Sequence, residues 1–417
     1  MKPDTENKPD RRTALTILQS LEFQCTGSEC EDICCKKWEI GVDEFTFKEW
    51  QDSSMWNSIK LNLKIIPDSQ IKPECAAYLK LNPNNQLCNF LDEDKLCIIH
   101  KTLGGKALGH TCRTYPREDS SIGNVPERSF TLSCPEAARL ILTPKEGLHL
   151  EISDNIESIG PFYKNLIDQT FPSYLVTVEN YMRLRVTALK IIRHREHRLE
   201  NRLILLGLFA DYLQRIFDNS DNSDPDAIDS LTSQFESLLS KDRFDELKGL
   251  VGKIPVVIDT KIDFLSCLLN LLGPHAMAQE RFYNYFKSFS LVLNNYEKDD
   301  FESTYNKKRE IYIKHFQNEY MLENYLFNSV FASAFPVISD KPLEQFLRIA
   351  LKFCIIRELL ITMCDENKLP SSKEIIQLIQ SFTRMYEHSK VLQDACIGFM
   401  KEINFISLPH ACILIRD

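Results

Sequence analysis

Leu, Ile and Phe recur at three- and four-residue spacing over Ser173–Phe217, Ala227–Leu250, Lys261–Asn294, Asp299–Ala334, Leu343–Cys364 and Lys373–Met400. That period lines apolar side chains along one face of a helix, so these spans are predicted as amphipathic or buried helices. Asp218–Asp226, reading DNSDNSDPD, breaks the pattern with turn-forming residues and is predicted as a polar connection. No fixed-period repeat emerges. The first 150 residues follow another rhythm. Residues 1–14 are charged, hold two prolines and show no periodicity, which predicts a disordered leader. A short apolar segment follows at 15–24. Asp43 is a candidate cap for a helix beginning near Glu44. Weak alternation over 61–74 suggests a short strand pair. Cys88–His100 reads as a hairpin with a DED tip and a cysteine at each end. Segment 128–142 reads as a strand to Cys134, then a helix with Pro135 in its first position and Glu136 in its first turn. The predicted fold is mainly α: a small irregular Cys-rich domain with short strands over 15–150, and a larger all-helical domain over 151–417.

Composition narrows the function classes. At 417 residues the chain can bury two ordinary cores. Its 43% hydrophobic and 26% charged residues are those of a soluble globular protein. A net charge of −9 argues against nonspecific nucleic-acid or anionic-membrane binding, so neither partner is expected. The N-terminus, MKPDTENKPDRR, has no apolar core and does not read as a secretory signal. Apolar runs such as Leu203–Ala210 and Phe264–Leu272 fall short of the ~20 residues that span a bilayer. A cytoplasmic location is expected, and there clustered cysteines bind metal or catalyse rather than form disulfides.

The cysteines change the picture most. Cys25, Cys30, Cys34, Cys35, Cys75, Cys88, Cys97, Cys112 and Cys134 put nine of the fourteen in the first third of the chain. Packing alone gives no reason for this, since Ala or Val would fill the same space. Thiolates converging on a metal would explain it. If Glu31–Trp38 is helical, Cys30 and Cys34 share a face and Cys35 points about 100° away. A Cys–Cys doublet with irregular gaps matches neither a zinc ribbon nor a finger. Thiolate ligation in loose loops suits an iron–sulfur cluster, which takes four cysteines, although soft thiolates also suit zinc. The expected ligands are drawn from Cys30, Cys34, Cys35, Cys88, Cys97, Cys112 and Cys134. These exceed four, so some are structural or there are two centres. His100 is either a ligand or a donor beside one. Trp38 is expected to pack beside the metal. The glycines of KTLGGKALGH, residues 101–110, lack the Walker and dinucleotide-binding patterns and are expected to form a close-packed loop. Cys267, Cys354, Cys364, Cys396 and Cys412 sit in apolar helical surroundings and are expected to be buried core residues.

FQCTGSECEDICCKKWEIGVD, CNFLDEDKLCIIH, LGHTCRTYPR and LSCPEAARLIL, in this order, resemble the flagellin lysine-N-methylase (FliB-type) family over roughly residues 20–145. Cys30, Cys34, Cys35, Cys88, Cys97 and Cys112 are also shared with a broader group built on a Cys-x3-Cys-Cys zinc- or iron-chelating core. The helical remainder matches in length and general character. The resemblance implies methylation of flagellin lysines, with S-adenosylmethionine as donor and a cysteine-bound [4Fe-4S] cluster. The Cys-x3-Cys-x2-Cys spacing of radical S-adenosylmethionine enzymes is absent, as are the alternating strands and helices of their barrel.

A lysine amine has a reference pKa of about 10.4 and attacks only as the free base. The implied enzyme must therefore desolvate the amine or supply a base, after which polar attack on the sulfonium methyl needs no radical. Arg113 and Arg117 are candidates to pair with the donor's carboxylate. Tyr115 could relay a proton or simply pack in its turn. Asp43 and Glu136 are expected to serve helix termini. The competing class is a non-enzymatic zinc- or iron–sulfur-binding adaptor whose helical domain docks a partner.

Overall fold

The computed structural model describes residues 11–123, 125–157, 164–165, 177–219, 226–240, 251–293, 301–336 and 338–417, with 243 and 249. The chain divides into two compact units that interleave in sequence. The first takes residues 1–137 and 150–165, and the second takes 138–149 and 166–417.

The first unit holds two small sheets. In chain order its elements are β1 (Arg11–Ile17), β2 (Gly41–Val42), α1 (Glu44–Asp52), α2 (Trp56–Ile59), β3 (Leu63–Ile65), β4 (Ala77–Leu79), α3 (Ile98–Leu103), α4 (His110–Thr114), β5 (Arg117–Ile122) and β6 (Val125–Phe130). After α5 (Pro135–Leu142), within which the division between units falls, come β7 (Leu150–Glu157) and β8 (Lys164–Asn165). The larger sheet runs β7-β1-β6-β5-β8, with β1 parallel to β6 and antiparallel to β7. The smaller sheet runs β2-β4-β3 and is antiparallel throughout. Beside it lies an apolar cluster that includes Phe47, Trp50, Ile59, Ala77, Phe90 and Ile99.

Several expectations for this unit hold in detail. Asp43 caps α1, its carboxylate accepting the Thr46 amide. Pro135 opens α5 and Glu136 stands in its first turn. The DED tip turns as expected: Asp92 N donates to Leu96 O (2.9 Å), and Leu91 bridges Cys97. Others are corrected. Arg11–Ala14 belong to β1 rather than a disordered leader, while residues 1–10 lie outside the described residues. The pairing that makes this a strand comes from Leu150–Glu157, far away in sequence. The strand pair expected over 61–74 is β3 alone there, and its partner β4 lies later. Glu31–Trp38 forms bends and one bridge, not a helix. Leu150–Asn165 groups with the first unit, not with the helices that follow.

The second unit is helical: α6 (Val178–Arg193), α7 (Leu199–Asp218), α8 (Ala227–Leu238), α9 (Ile258–Met277), α10 (Glu280–Leu293), α11 (Phe301–His315), α12 (Glu319–Ala332), α13 (Pro342–Met363), α14 (Ser372–Phe382), α15 (Lys390–Glu402) and α16 (Leu408–Ile415). A π-helical turn, Thr383–Glu387, extends α14. The mainly-α expectation is met, and the described helices α6–α15 fall within or beside a span of the three–four pattern, whereas α16 lies beyond the last span and was not expected. The middle of the polar connection, 220–225, lies outside the described residues, as do 173–176 and most of 241–250. Residues 321–331 of α12 are all buried, and so is nearly all of α13, so these two helices form the centre of the unit. The centre also holds ions. Lys261 Nζ meets Asp417 Oδ1 at 2.6 Å and Glu358 Oε1 at 3.3 Å, and Arg357 Nε meets Asp417 Oδ2 at 2.8 Å. Cys354, Cys364, Cys396 and Cys412 are buried as expected, whereas Cys267 is exposed on α9. Among the described residues no helix is long and apolar enough to cross a membrane.

Candidate metal centre

Local chain geometry brings the early cysteines together in the first unit. Gly27 takes a positive φ of 58°, which lets a 3-10 turn over Gly27–Glu29 close with Cys30 N donating to Gly27 O at 3.2 Å. The chain then bends through Cys34 and Cys35, whose sulfurs lie 4.0 Å apart. The Trp38 indole donates to the Cys34 carbonyl and holds this bend. Next, the doublet is stitched to the following motif. Cys88 N donates to Cys35 O (2.9 Å), Lys37 N donates to Gln86 O (2.9 Å), and Lys36 bridges Leu87. The hairpin returns Cys97 to the start of α3, and Ile98 N donates to Phe90 O at 2.8 Å.

Asp43 supplies the last link. Its Oδ2 accepts the His110 amide at 2.9 Å, so the residue that caps α1 also fixes the start of α4, which carries Cys112. Burial opposes its charge, yet hydrogen bonds from Thr46 and His110 hold its carboxyl below the usual range. The sequence marked Asp43 as a cap and missed this second task, because the pairing spans 67 positions.

Cys88 belongs to the apolar cluster, and Cys35, Cys97 and Cys112 pack against it. These four thiols therefore share one apolar neighbourhood. Their electrostatics agree. Burial pushes Cys112 up, and repulsion from Cys88, Cys97 and Cys34 adds to it. Cys88 is raised by burial and by Cys97 and Cys34. The hydrogen bond with Cys34 raises Cys35 most, followed by burial and by Cys112 and Cys88. Cys34 is also the link to an outer group. Cys134 is pushed up to about 12 by burial, against the amides of Ala137 and Glu136, with Cys30 and Cys34 adding to it. Burial raises Cys30, and Cys34 and Cys25 add to it. In their electrostatics the seven predicted ligands thus fall into two sets that share Cys34.

No disulfide links any of the cysteines. Among the described residues, no three His, Cys, Asp or Glu side chains are arranged to hold a metal ion as they stand. The donor chemistry fits a soft metal, since several thiols face one another in an apolar setting where each thiolate raises the cost of the next.

The remaining candidates have ordinary partners. Arg113 Nη1 donates to Lys106 O at 3.5 Å from α4. Arg117 stacks over the Phe23 ring at 4.9 Å. Tyr115 OH lies 3.0 Å from Ser133 Oγ, and its ring packs on Trp38 with centroids 5.9 Å apart. Tyr115 is thus a packed turn tyrosine, and Trp38 sits against the same apolar cluster as the thiols. His100 is exposed on α3, with Gly105 beside it.

Comparison with known proteins places weight on the other unit. Residues 185–414 match the family described as the FliB lysine N-methylase C-terminal domain. The chain belongs to the FliB lysine N-methylase family. That match lies within the second unit, so the helical remainder carries the family signal more strongly than its general character suggested. Relatives include the Lysine-N-methylase of Salmonella typhimurium and that of Salmonella choleraesuis, each 31% identical over 196 residues, 46% of this chain and 45% of the relative. The chain's match therefore spans about half the length of these FliB-family relatives. The flagellar biosynthetic protein FliU of Salmonella muenchen is 35% identical over 131 residues, 31% of this chain and 76% of that protein. No solved structure matches.

Proposed function

We propose that this chain is a protein-lysine N-methyltransferase that acts on flagellin in the cytoplasm, with S-adenosylmethionine as methyl donor. The observation that carries this reading is the family match over the helical unit, residues 185–414. The names of the relatives support it: two are lysine-N-methylases and one is a flagellar biosynthetic protein. In the reaction, the free-base amine of the target lysine attacks the sulfonium methyl. A C–N bond forms, the C–S bond breaks, and sulfur keeps the electron pair as S-adenosylhomocysteine forms. The attacking nitrogen sheds its proton to a base or to water.

The Cys-rich unit is proposed to hold a [4Fe-4S] cluster, with zinc as the alternative. Cys35, Cys88, Cys97 and Cys112 are the favoured ligands because they share one apolar cluster. Cys34 joins them to Cys30 and Cys134. When bound, such a group supplies positive charge that stabilises the thiolates and crosslinks the loops bearing them.

The test incubates the purified full chain with donor and flagellin and follows methylated lysine by mass spectrometry. Methylated flagellin with stoichiometric S-adenosylhomocysteine is expected. A protein that takes up metal yet transfers no methyl group to any lysine would instead fit the adaptor class.

A further inference from the structure

The helical unit contains a cleft of about 570 Å³ between the end of α11 and a tight turn at Asp365–Lys368. Its size lies in the roughly 300–1,000 Å³ range of small-molecule sites. The whole cleft falls inside the family-matched residues 185–414.

Both walls are fixed. Phe316 lines the cleft and stacks on the buried Tyr312 ring, with centroids 4.5 Å apart and planes 21° apart. Opposite, Asp365 N donates to Lys368 O (2.9 Å) and Lys368 N to Asp365 O (3.2 Å). Asp365 Oδ1 accepts the Asn367 amide at 3.0 Å. Lys308 Nζ donates to Cys364 O at 2.6 Å, and Lys307 pairs with Glu366 at 2.5 Å, so α11 itself holds the turn in place. The lining of the cleft thus includes an aromatic ring, two carboxylates and a lysine.

Each of these groups suits one part of an adenosyl sulfonium. A planar base stacks on an aromatic face. A carboxylate accepts hydrogen bonds from a ribose diol, and Asp365 is exposed with a second oxygen beyond the one engaged by Asn367. A sulfonium carries positive charge, which the neighbouring carboxylates of Asp365 and Glu366 favour, the latter shared with Lys307. A carboxylate at the far end would meet Lys368, which also pairs with Glu374 at 2.9 Å. We propose that this cleft seats the methyl donor, with Phe316 beneath the adenine and Asp365 on the ribose. The proposal rests on the methyltransferase reading and assigns that reading its donor site.

The probe is S-adenosylhomocysteine, titrated calorimetrically into the full chain. Asp365→Asn keeps the turn's hydrogen bond to Asn367 and should weaken binding about tenfold, the scale of one charge-assisted hydrogen bond. Phe316→Leu keeps apolar volume and loses the π face, with a similar expected loss. Adenosine should compete. Metal content and the circular dichroism spectrum should match the parent in both variants, which separates a binding defect from misfolding. Tight parent binding that neither variant changes beyond twofold, or that adenosine fails to displace, would overturn the donor site while leaving the methyltransferase reading intact. If the parent chain binds no donor and methylates no lysine, the methyltransferase reading fails, and the site falls with it.

Discussion

At the scale of single residues, Asp43 shows how one carboxylate organises a centre to which it contributes no sulfur. It accepts the Thr46 amide at 2.8 Å and the His110 amide at 2.9 Å from two different helices. Asp43→Ala removes a cap and orphans a half-buried donor, for an expected cost of about 1–3 kcal/mol in urea unfolding. Because its folded pKa lies below the unfolded value, its stabilising share is complete above the ordinary carboxylate range and is lost as pH falls through the folded pKa. The mutant should therefore lose its deficit relative to the parent in acid, and a deficit that stays constant down to the acid limit would refute the role. The cysteines divide along similar lines. Cys112→Ser and Cys88→Ser should discharge metal from the full chain, measured by elemental analysis, whereas Cys25→Ser, at an exposed position, should retain it. Equal retention by all three would remove the inner thiols as ligands.

Among the elements, α7 approaches two of its neighbours closely at Gly207. A Cβ at Gly207 would lie 2.5 Å from Phe346 Cε1 on α13 and 2.6 Å from Leu408 Cδ1 on α16. Glycine is thus required by proximity rather than by backbone angle. Gly207→Ala should destabilise the protein by about 1–3 kcal/mol through overpacking, despite the better helix propensity of Ala, and a thermal melt would register the loss. A melting temperature at or above the parent's would show that the interface gives way. Elements such as α7, α12 and α13 were legible because their signal is local: three- and four-residue spacing depends on nothing beyond the helix itself. The sheets were largely not. Arg11–Ile17 reads as a charged leader until Leu150–Glu157 pairs with it, and Arg117–Ile122, REDSSI, has no apolar alternation at all. The same limit governs the centre. That several early cysteines share a neighbourhood, as Cys35, Cys88, Cys97 and Cys112 do, was legible from their density. The division into inner and outer sets was not, because it depends on Cys35 pairing with Cys88 across 53 positions and on the bends that replace the expected helix.

At the scale of the whole molecule, an ion network lies buried within the helical unit. Lys261, Arg357, Glu358 and Asp417 are almost completely buried and joined to one another, and the Tyr305 hydroxyl donates to Glu358 at 2.7 Å. Burial opposes the charge on Asp417, but Arg357 and Lys261 hold its carboxyl below the usual range. Removing one member strands the others, so Lys261→Met should cost about 3–5 kcal/mol. The parent unit should lose stability as pH drops through the folded pKa of Asp417, and the variant should show a shallower acid dependence. Matching acid profiles for parent and Lys261→Met would exclude the network as the source.

The interleaved order of the two units bears on any attempt to dissect this protein. A cut near residue 150 removes the strand that pairs with Arg11–Ile17 and leaves it attached to the helices. A thiol-rich fragment ending there would present β1 with one side of its hydrogen-bond ladder bare, a template for self-association. Its failure to stay monomeric would then reflect a severed sheet and would say nothing about its affinity for metal.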